Sequence, residues 1–481
     1  MGATPAERRI GMPRILVLGG GVCGLAAALM LARDGHEVTL LERDPQPVPD
    51  SVDAAWETWQ RRGVAQFHQA HFLLAGAHRA LDAELPDVRD ALAAAGGLRF
   101  NHVSNLPPAV AGHGSRPGDE RFNTITARRP TIEYVFGHAA AREPGVDVRR
   151  GVAVAGVLTG TPVIPDAPHV IGVRTDTGEE LRADLVVDAM GRRSRLARWL
   201  VEAGARPCPE EAEDSGFSYY TRFLRSRDGG VPKDRGPQLA ALGSFSIATF
   251  PSDNDTWSVT LVTSSRDRSL TAVRDADRWT AVVAACPLYA HWLDGESITD
   301  VLAMGGIIDS YRRLSVDGSP VATGVASVAD AWACTNPSLG RGISLGLQHV
   351  QLLRDVVRSG IESPVAFAKA WDAATEERLT PWYRATVQLD RARLAEMEAL
   401  RSGQPRPVIA DPATARFRAL AVAAMKDPDI FRCLVEIATC LTPAEEVLAR
   451  PGLLDRLQDT ATGDPPSLPG PDRAQLLRLL G

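Results

Sequence analysis

The chain has 481 residues, 44% of them hydrophobic and 23% charged, with a net charge of −6. That is the balance of a globular protein long enough for two or three domains, without the basic surplus a nucleic-acid surface needs. Six scattered cysteines with no C-x-x-C pair exclude a disulfide framework and suggest no metal site. The N-terminal stretch MGATPAERRIGMPRI has no apolar signal core, and the nearby apolar run Leu25–Ala32 is too short to span a bilayer. A cytoplasmic protein without a membrane span is therefore expected.

The first predicted strand is Arg14–Leu18, a short aliphatic run suited to a buried parallel sheet. It leads into Gly19-Gly20-Gly21-Val22-Cys23-Gly24, which satisfies G-x-G-x-x-G. Gly19 permits the tight turn, Gly21 lets a pyrophosphate approach the backbone, and Gly24 lets the next helix pack close to the strand. That helix, Leu25–Arg33, aims its N-terminal N–H groups at the phosphates. Cys23 reads as a small residue that fits beside phosphate, not as a nucleophile. The second strand, HEVTLLE, ends at Glu42, followed by Arg43. A carboxylate about 20 residues past the loop accepts the ribose hydroxyls and favours FAD or NAD over NADP.

RRGVAQFHQAHFLL follows and carries His68 and His71. TARRPTIEYVFGHAAAREPGVDVRRGVAV reads as a helix and a strand near Val152–Val154. RADLVVDAMGRRSRLARWL reads as a strand, a glycine turn and a basic helix start. FSYYTRFLR, SFSIATFP and TWSVTLVTS then predict a mostly antiparallel sheet with one face to a pocket. On the first of these strands Tyr220 and Arg222 share one face and Tyr219 takes the other. A Tyr220–Arg222 face toward the pocket would orient an oxygenated substrate; sheet surface with a salt bridge is the plainer alternative. Near residue 330 a strand reaches Asp330 and continues into the loop NPSLGRG and a long amphipathic helix. The chain after Ser363 is helical.

Taken in order, the glycine loop, the RADLVVDAMG turn and the Asp330–NPSLGRG segment make residues 12–375 resemble the flavoprotein monooxygenases of the para-hydroxybenzoate hydroxylase type. RRGVAQFHQAH is similar to a segment of actinobacterial polyether-type epoxidases and related natural-product flavoproteins. The resemblance implies FAD as cofactor and a discontinuous Rossmann-type α/β domain made of residues 12–75, 125–200 and 305–375. An inserted, mostly antiparallel substrate domain (76–124 and 200–304) and a C-terminal helical region (376–481) complete the expected architecture. It further implies that Asp330 binds the ribityl chain. Arg129, with Arg128 as a rival, would lie near the pyrophosphate, and the strand at Val152 would meet the adenine by its backbone. Pro337, Gly340, Arg341 and Gly342 would turn backbone N–H groups to the flavin pyrimidine edge. The helix from Ile343 would direct its positive end there and stabilise an anionic reduced flavin. His71 or Gln66 would sit beside the ring, unless the histidine only braces a domain junction.

The activity so implied is a monooxygenase, hydroxylase or epoxidase, in which a flavin C4a-hydroperoxide passes one oxygen to an aromatic ring or alkene. NAD(P)H is the expected reductant, and a hydrophobic polyketide or terpenoid intermediate the expected substrate. Two residues depart from the family pattern: Ala329 replaces the glycine before Asp330, and Met190 replaces an aspartate that links flavin and NADPH binding. Those departures suit an alternative, a non-redox [4+2] cyclase like the dialkyldecalin synthases. A flavin halogenase is disfavoured, because W-x-W-x-I-P is absent and no lysine precedes Lys233. Oligomeric state stays open.

Overall fold

A computed structural model describes residues 13–104, 110, 114–408, 411–460 and 468–481. Most of the N-terminal stretch read above, part of the 105–113 segment and the start of the final Pro-Gly linker lie outside the described residues. In chain order the elements that position the site begin with β1 (Arg14–Leu18), α1 (Val22–Arg33), β2 (Glu37–Glu42), α2 (Ala75–Glu84) and α3 (Pro86–Ala94). Next come α4 (Arg129–Arg142), β3 (Val146–Arg150), β4 (Leu185–Asp188), β5 (Phe217–Arg225), β6 (Phe245–Pro251) and β7 (Thr256–Ser264). The series closes with α5 (Ala276–Ala284), β8 (Ile308–Arg312), β9 (Val325–Ser327), α6 (Gly342–Arg358), α7 (Thr380–Arg401) and α8 (Arg473–Leu480).

The fold is mixed α/β around a five-stranded parallel sheet in the order β9-β4-β1-β2-β3. Its inner strands β1 and β4 are almost wholly apolar and buried because both faces are covered. α1, α4 and α6 pack on one face through Leu25, Leu29, Ile132, Phe136, Leu347 and Val350. A small antiparallel sheet within 154–182 and the helix Leu196–Glu202 cover the other, through Val170, Val173, Leu196 and Leu200. α2 and α3 also join the first core, through Ala77, Leu81, Val88 and Leu92. Residues 75–94, expected in the inserted domain, thus pack with the parallel sheet.

The second layer is an antiparallel sheet in which β6 pairs β7 and β7 pairs β5. One face looks toward the parallel sheet. The other is closed by α5 and α8 around Trp257, Trp279 and Trp292. The last helix, α8, thus packs on the antiparallel sheet through Leu476 and Leu480 instead of staying with the other C-terminal helices. Arg128 joins the two layers. Its backbone N–H donates to Asp253 Oδ1 at 2.6 Å and its Nη2 to Oδ2 at 2.8 Å, and Thr131 Oγ1 donates to the same carboxylate at 2.9 Å. Among the described residues no helix is long and apolar enough to cross a membrane, and no cluster of side chains suits a metal ion.

Candidate cofactor and substrate cavity

One cavity of about 590 Å³ runs from the glycine loop to the inner face of the antiparallel sheet. At its first end, Gly19 turns with φ +105°, and a Cβ there would lie 2.6 Å from the Ala189 carbonyl oxygen. A Cβ on Gly24 would lie 1.9 Å from the Gly19 carbonyl oxygen, so only glycine lets α1 approach the loop. Gly21 differs: its nearest neighbour would be Arg129 Nη2 at 3.9 Å. The space beyond Gly21 is a cradle that a side chain would fill and a phosphate would fit.

Glu42 ends β2 at this loop, 5% exposed. Its Oε2 accepts from Gly20 N–H and from Arg61 Nη2, both at 2.8 Å, and its Oε1 accepts from Asp44 N–H at 2.8 Å. Each carboxylate oxygen has two lone pairs, so Oε1 retains capacity for a ribose hydroxyl. Val152 lines the cavity, but its N–H is already used on the Glu42 carbonyl at 3.0 Å. Any adenine contact there falls to its carbonyl or side chain. Arg43 also lines the cavity.

Arg61 is the residue that sequence reading missed. It is buried and pairs with Glu42, Asp44 (3.3 Å) and Glu133. It comes from an irregular segment, so no periodicity marks it; the only signal was its place at the head of RRGVAQ. Glu133 also holds Arg129, whose Nε donates to it at 2.6 Å. Arg129 lines the cavity; its rival Arg128 does not, being committed to Asp253.

His71 lines the cavity as well. Its Nε2 lies 3.3 Å from Arg129 Nη1 and its Nδ1 lies 2.9 Å from the Gln69 carbonyl oxygen. An arginine only donates, so Nε2 is the acceptor and Nδ1–H the donor, which assigns a neutral tautomer. Burial, aided by the Arg129 charge, pushes its pKa down to about 3. His71 therefore steadies Arg129 and is not poised for proton transfer near neutral pH. Burial likewise pushes the Cys23 thiol up to about 12, so it stays protonated.

Asp330 lines the cavity from the turn after β9, and burial raises its pKa. Ala329 before it has φ +51°, the left-handed conformation for which glycine is the usual residue. The turn is kept, with its N–H donating to His349 Nδ1 at 3.1 Å. Pro337, Gly340, Gly342 and Ile343 also line the cavity, and a Cβ on Gly340 or Gly342 would meet nothing within 4 Å. Arg341 departs from expectation. Its side chain leaves the cavity, with its guanidinium 5.2 Å from the Trp382 ring centroid and Nη1 donating to Thr386 Oγ1 at 3.1 Å. Arg341 does not line the cavity, although Gly340 and Gly342 on either side of it do.

The sheet end brings the clearest correction. Tyr219 and Thr221 line the cavity; Tyr220 and Arg222 do not. Tyr220 packs in the core behind the sheet and accepts at its carbonyl from Trp279 Nε1 at 3.0 Å. Arg222 lies 5.3 Å from the Trp279 ring centroid and donates to Thr280 Oγ1 at 3.2 Å. The two-residue alternation was right and the choice of face wrong, because α5 buries the far face too. Register sets Leu239, Ala248, Thr260 and Thr221 side by side on the cavity face. Thr221 and Thr260 share a hydrogen bond of 2.9 Å. Beyond them Phe72 stacks on Phe250, rings 5.5 Å apart. None of these residues is charged.

Comparisons agree with this geometry. Residues 14–110 match the family model described as FAD dependent oxidoreductase. Protein Rv3254 of Mycobacterium tuberculosis is 30% identical over 46% of this chain and 47% of its own length. The FAD-dependent monooxygenase idtM of Claviceps paspali is 23% identical over 73% of this chain and 68% of its own. The chain spans less than half the length of the first two curated relatives it matches, 47% and 40%. PqsL of Pseudomonas aeruginosa, described as a probable FAD-dependent monooxygenase, superposes with a TM-score of 0.57 at 17% identity, covering 81% of this chain and 97% of that one. At that identity the likeness is one of fold. With the open cradle at Gly21, the Arg129 cation and the acid ending β2, the donor set fits FAD. The first nucleotide-binding unit, within residues 14–110, is thus similar to FAD-dependent oxidoreductases, and the likeness over the rest of the chain is one of fold.

Proposed function

We propose that the protein is an FAD-dependent monooxygenase, a hydroxylase or epoxidase, acting on a neutral hydrophobic small molecule of the polyketide or terpenoid kind. The observation that carries this reading is a single cavity joining a dinucleotide cradle to an apolar, uncharged sheet face. Relatives described as monooxygenases support it. FAD bound there would supply the activation of O2 and the transfer of one oxygen atom, which is cofactor chemistry. The chain's own residues bind and exclude water. Glu42 and Arg129 hold the nucleotide half, Asp330 the linking chain, and the Pro337–Gly342 backbone the ring. Tyr219, Thr221, Phe72 and Phe250 shape a dry chamber for the substrate.

NAD(P)H as reductant belongs to the same proposal. Arg192, Arg193 and Arg195 line the cavity rim, the last two exposed, and none forms an ion pair among the described residues. Free guanidinium groups at the rim suit the phosphates of a pyridine nucleotide. Six free cysteines suit a cytoplasmic setting.

One observation favours a second reading. Met190, at the position of the family's aspartate, also lines the cavity, as expected if hydride delivery had been relaxed in a non-redox [4+2] cyclase. Anaerobic mixing with NADPH and then NADH separates the two. Loss of the yellow flavin absorbance, faster with substrate present, is the monooxygenase outcome. A flavin that stays oxidised while substrate is still converted overturns it in favour of the cyclase.

A further inference from the structure

We propose that Asp390, on helix α7, is a positioning residue that anchors the Asn336–Gly342 loop against the cavity and balances the buried charge of Arg341 behind that loop. This rests on the FAD reading above. The anchor is built from three elements. Asp390 Oδ1 accepts from Ser338 Oγ at 2.5 Å and its Oδ2 from Asn336 Nδ2 at 3.2 Å. From β8, Asp309 Oδ1 accepts the Asn336 N–H at 2.5 Å. From β5, Tyr219 donates its hydroxyl to Asn336 Oδ1 at 2.6 Å. Asn336 is thereby held at its backbone N–H and at both side-chain polar atoms, with 1% exposure. Ser338, Gly340 and Gly342 are then presented to the cavity.

Arg341 supplies the charge. It is 3% exposed, makes no ion pair among the described residues, and leaves its Nε without a hydrogen-bond partner. Asp390 is the carboxylate whose field it feels. The groups facing Asp390 are Asn336, Ser338 and Arg341 from the loop, Tyr219 from β5 and Asp309 from β8. A buried cation without a carboxylate in contact is costly unless a nearby charge offsets it. Burial pushes Asp390 up to about 7, so its charge changes within the working range of pH.

The sign follows. Below that pH, Asp390 is neutral and Arg341 is uncompensated, which favours the more electron-rich, reduced state of a flavin at the loop. Above it, the carboxylate cancels Arg341 and the advantage is lost. Asp390→Asn keeps the neutral form at every pH. The reduction potential of bound FAD, titrated against a reference dye from about pH 5.5 to 9, reads this directly. Wild type and Asp390→Asn should coincide at the acid end. At the alkaline end wild type should be harder to reduce by about tenfold, about 30 mV for a two-electron couple. Asp309, pushed up to about 6 by burial, adds a lower break that both proteins share.

Ser338→Ala is the second variant, since it leaves the charge in place. Losing that hydrogen bond should move the upper break to higher pH. Parallel wild-type and Asp390→Asn curves, or an upper break unmoved in Ser338→Ala, would overturn the proposal while leaving the FAD reading intact. A wild-type protein that takes up no FAD would overturn both.

Discussion

The two ends of the cavity are built by opposite means. The nucleotide end is made of charge: Arg61 and Arg129 interlock with Glu42, Asp44 and Glu133 in a buried network around a glycine turn. The sheet end is made of shape: Thr221, Thr260, Ala248, Phe250 and Phe72 present methyls, rings and two mutually satisfied hydroxyls. The first arrangement holds a charged group in one pose and tolerates little change. The second excludes water and can be reshaped one residue at a time. Oxygen transfer to an apolar molecule needs both, a fixed cofactor and a dry, adaptable chamber.

Breaking the charged end should have the largest effect. Arg61→Met leaves three carboxylates around an apolar side chain and should cost about 3–5 kcal/mol in urea unfolding of the flavin-free protein. A loss below 1 kcal/mol would mean the network is not what holds this end together. Gly21→Val tests the ligand space itself. Its Cβ would meet nothing closer than Arg129 Nη2 at 3.9 Å, so FAD affinity should fall about 100-fold while flavin-free stability changes little. Unchanged flavin retention after gel filtration would remove FAD from this cradle.

His71 gives a pH test of the same end. Its folded pKa, about 3, lies below the ordinary 6.5, so the unfolded chain binds one more proton between those values. Its contribution is complete above pH 6.5 and is lost as pH falls toward 3. His71→Gln should make the acid-side fall in stability shallower by up to one proton, about 1.4 kcal/mol per pH unit. An identical slope in the variant would contradict the neutral, Arg129-bound imidazole.

The smallest effects belong to the sheet. Phe250→Ala widens the chamber and should change KM for substrate, with FAD affinity unchanged. Arg222→Ala, on the far side, should leave KM and kcat unaltered and cost about 1 kcal/mol or less in stability. A substrate effect at Arg222 would show that the strand faces the other way.

What could be read from the sequence follows the same division. The cradle was legible because its determinants are local. A strand, three glycines, a helix and an acid lie within thirty residues, and each has a stereochemical reason for its place. Asp330 and the Pro337–Gly342 loop came instead from the family resemblance; they line the same cavity, except Arg341, which turns outward to Trp382. The sheet end was not legible. β5 is covered on both faces, so its aromatic and polar residues alternate without saying which side holds the cavity. Asp390 left a trace that went unused. It shares a helical stripe with Tyr383, Val387, Leu394 and Met397, where an acid stands among apolar residues. Arg61 left almost none, because what fixes its role is the convergence of three distant carboxylates.

The Arg128–Asp253 junction carries one more consequence. With both partners fully buried and Thr131 bound to the same carboxylate, the two layers are pinned directly beside the cavity. Prising them apart would strand an unpaired ion in the interior. Traffic of small molecules is therefore left to the rim rather than to a hinge. Arg193 and Arg195 are exposed where they line that rim. The capture rate of an anionic visitor should fall steeply as salt is raised, while that of a neutral one should barely change. The rim would thus sort the two visitors by their kinetics before either reaches the chamber.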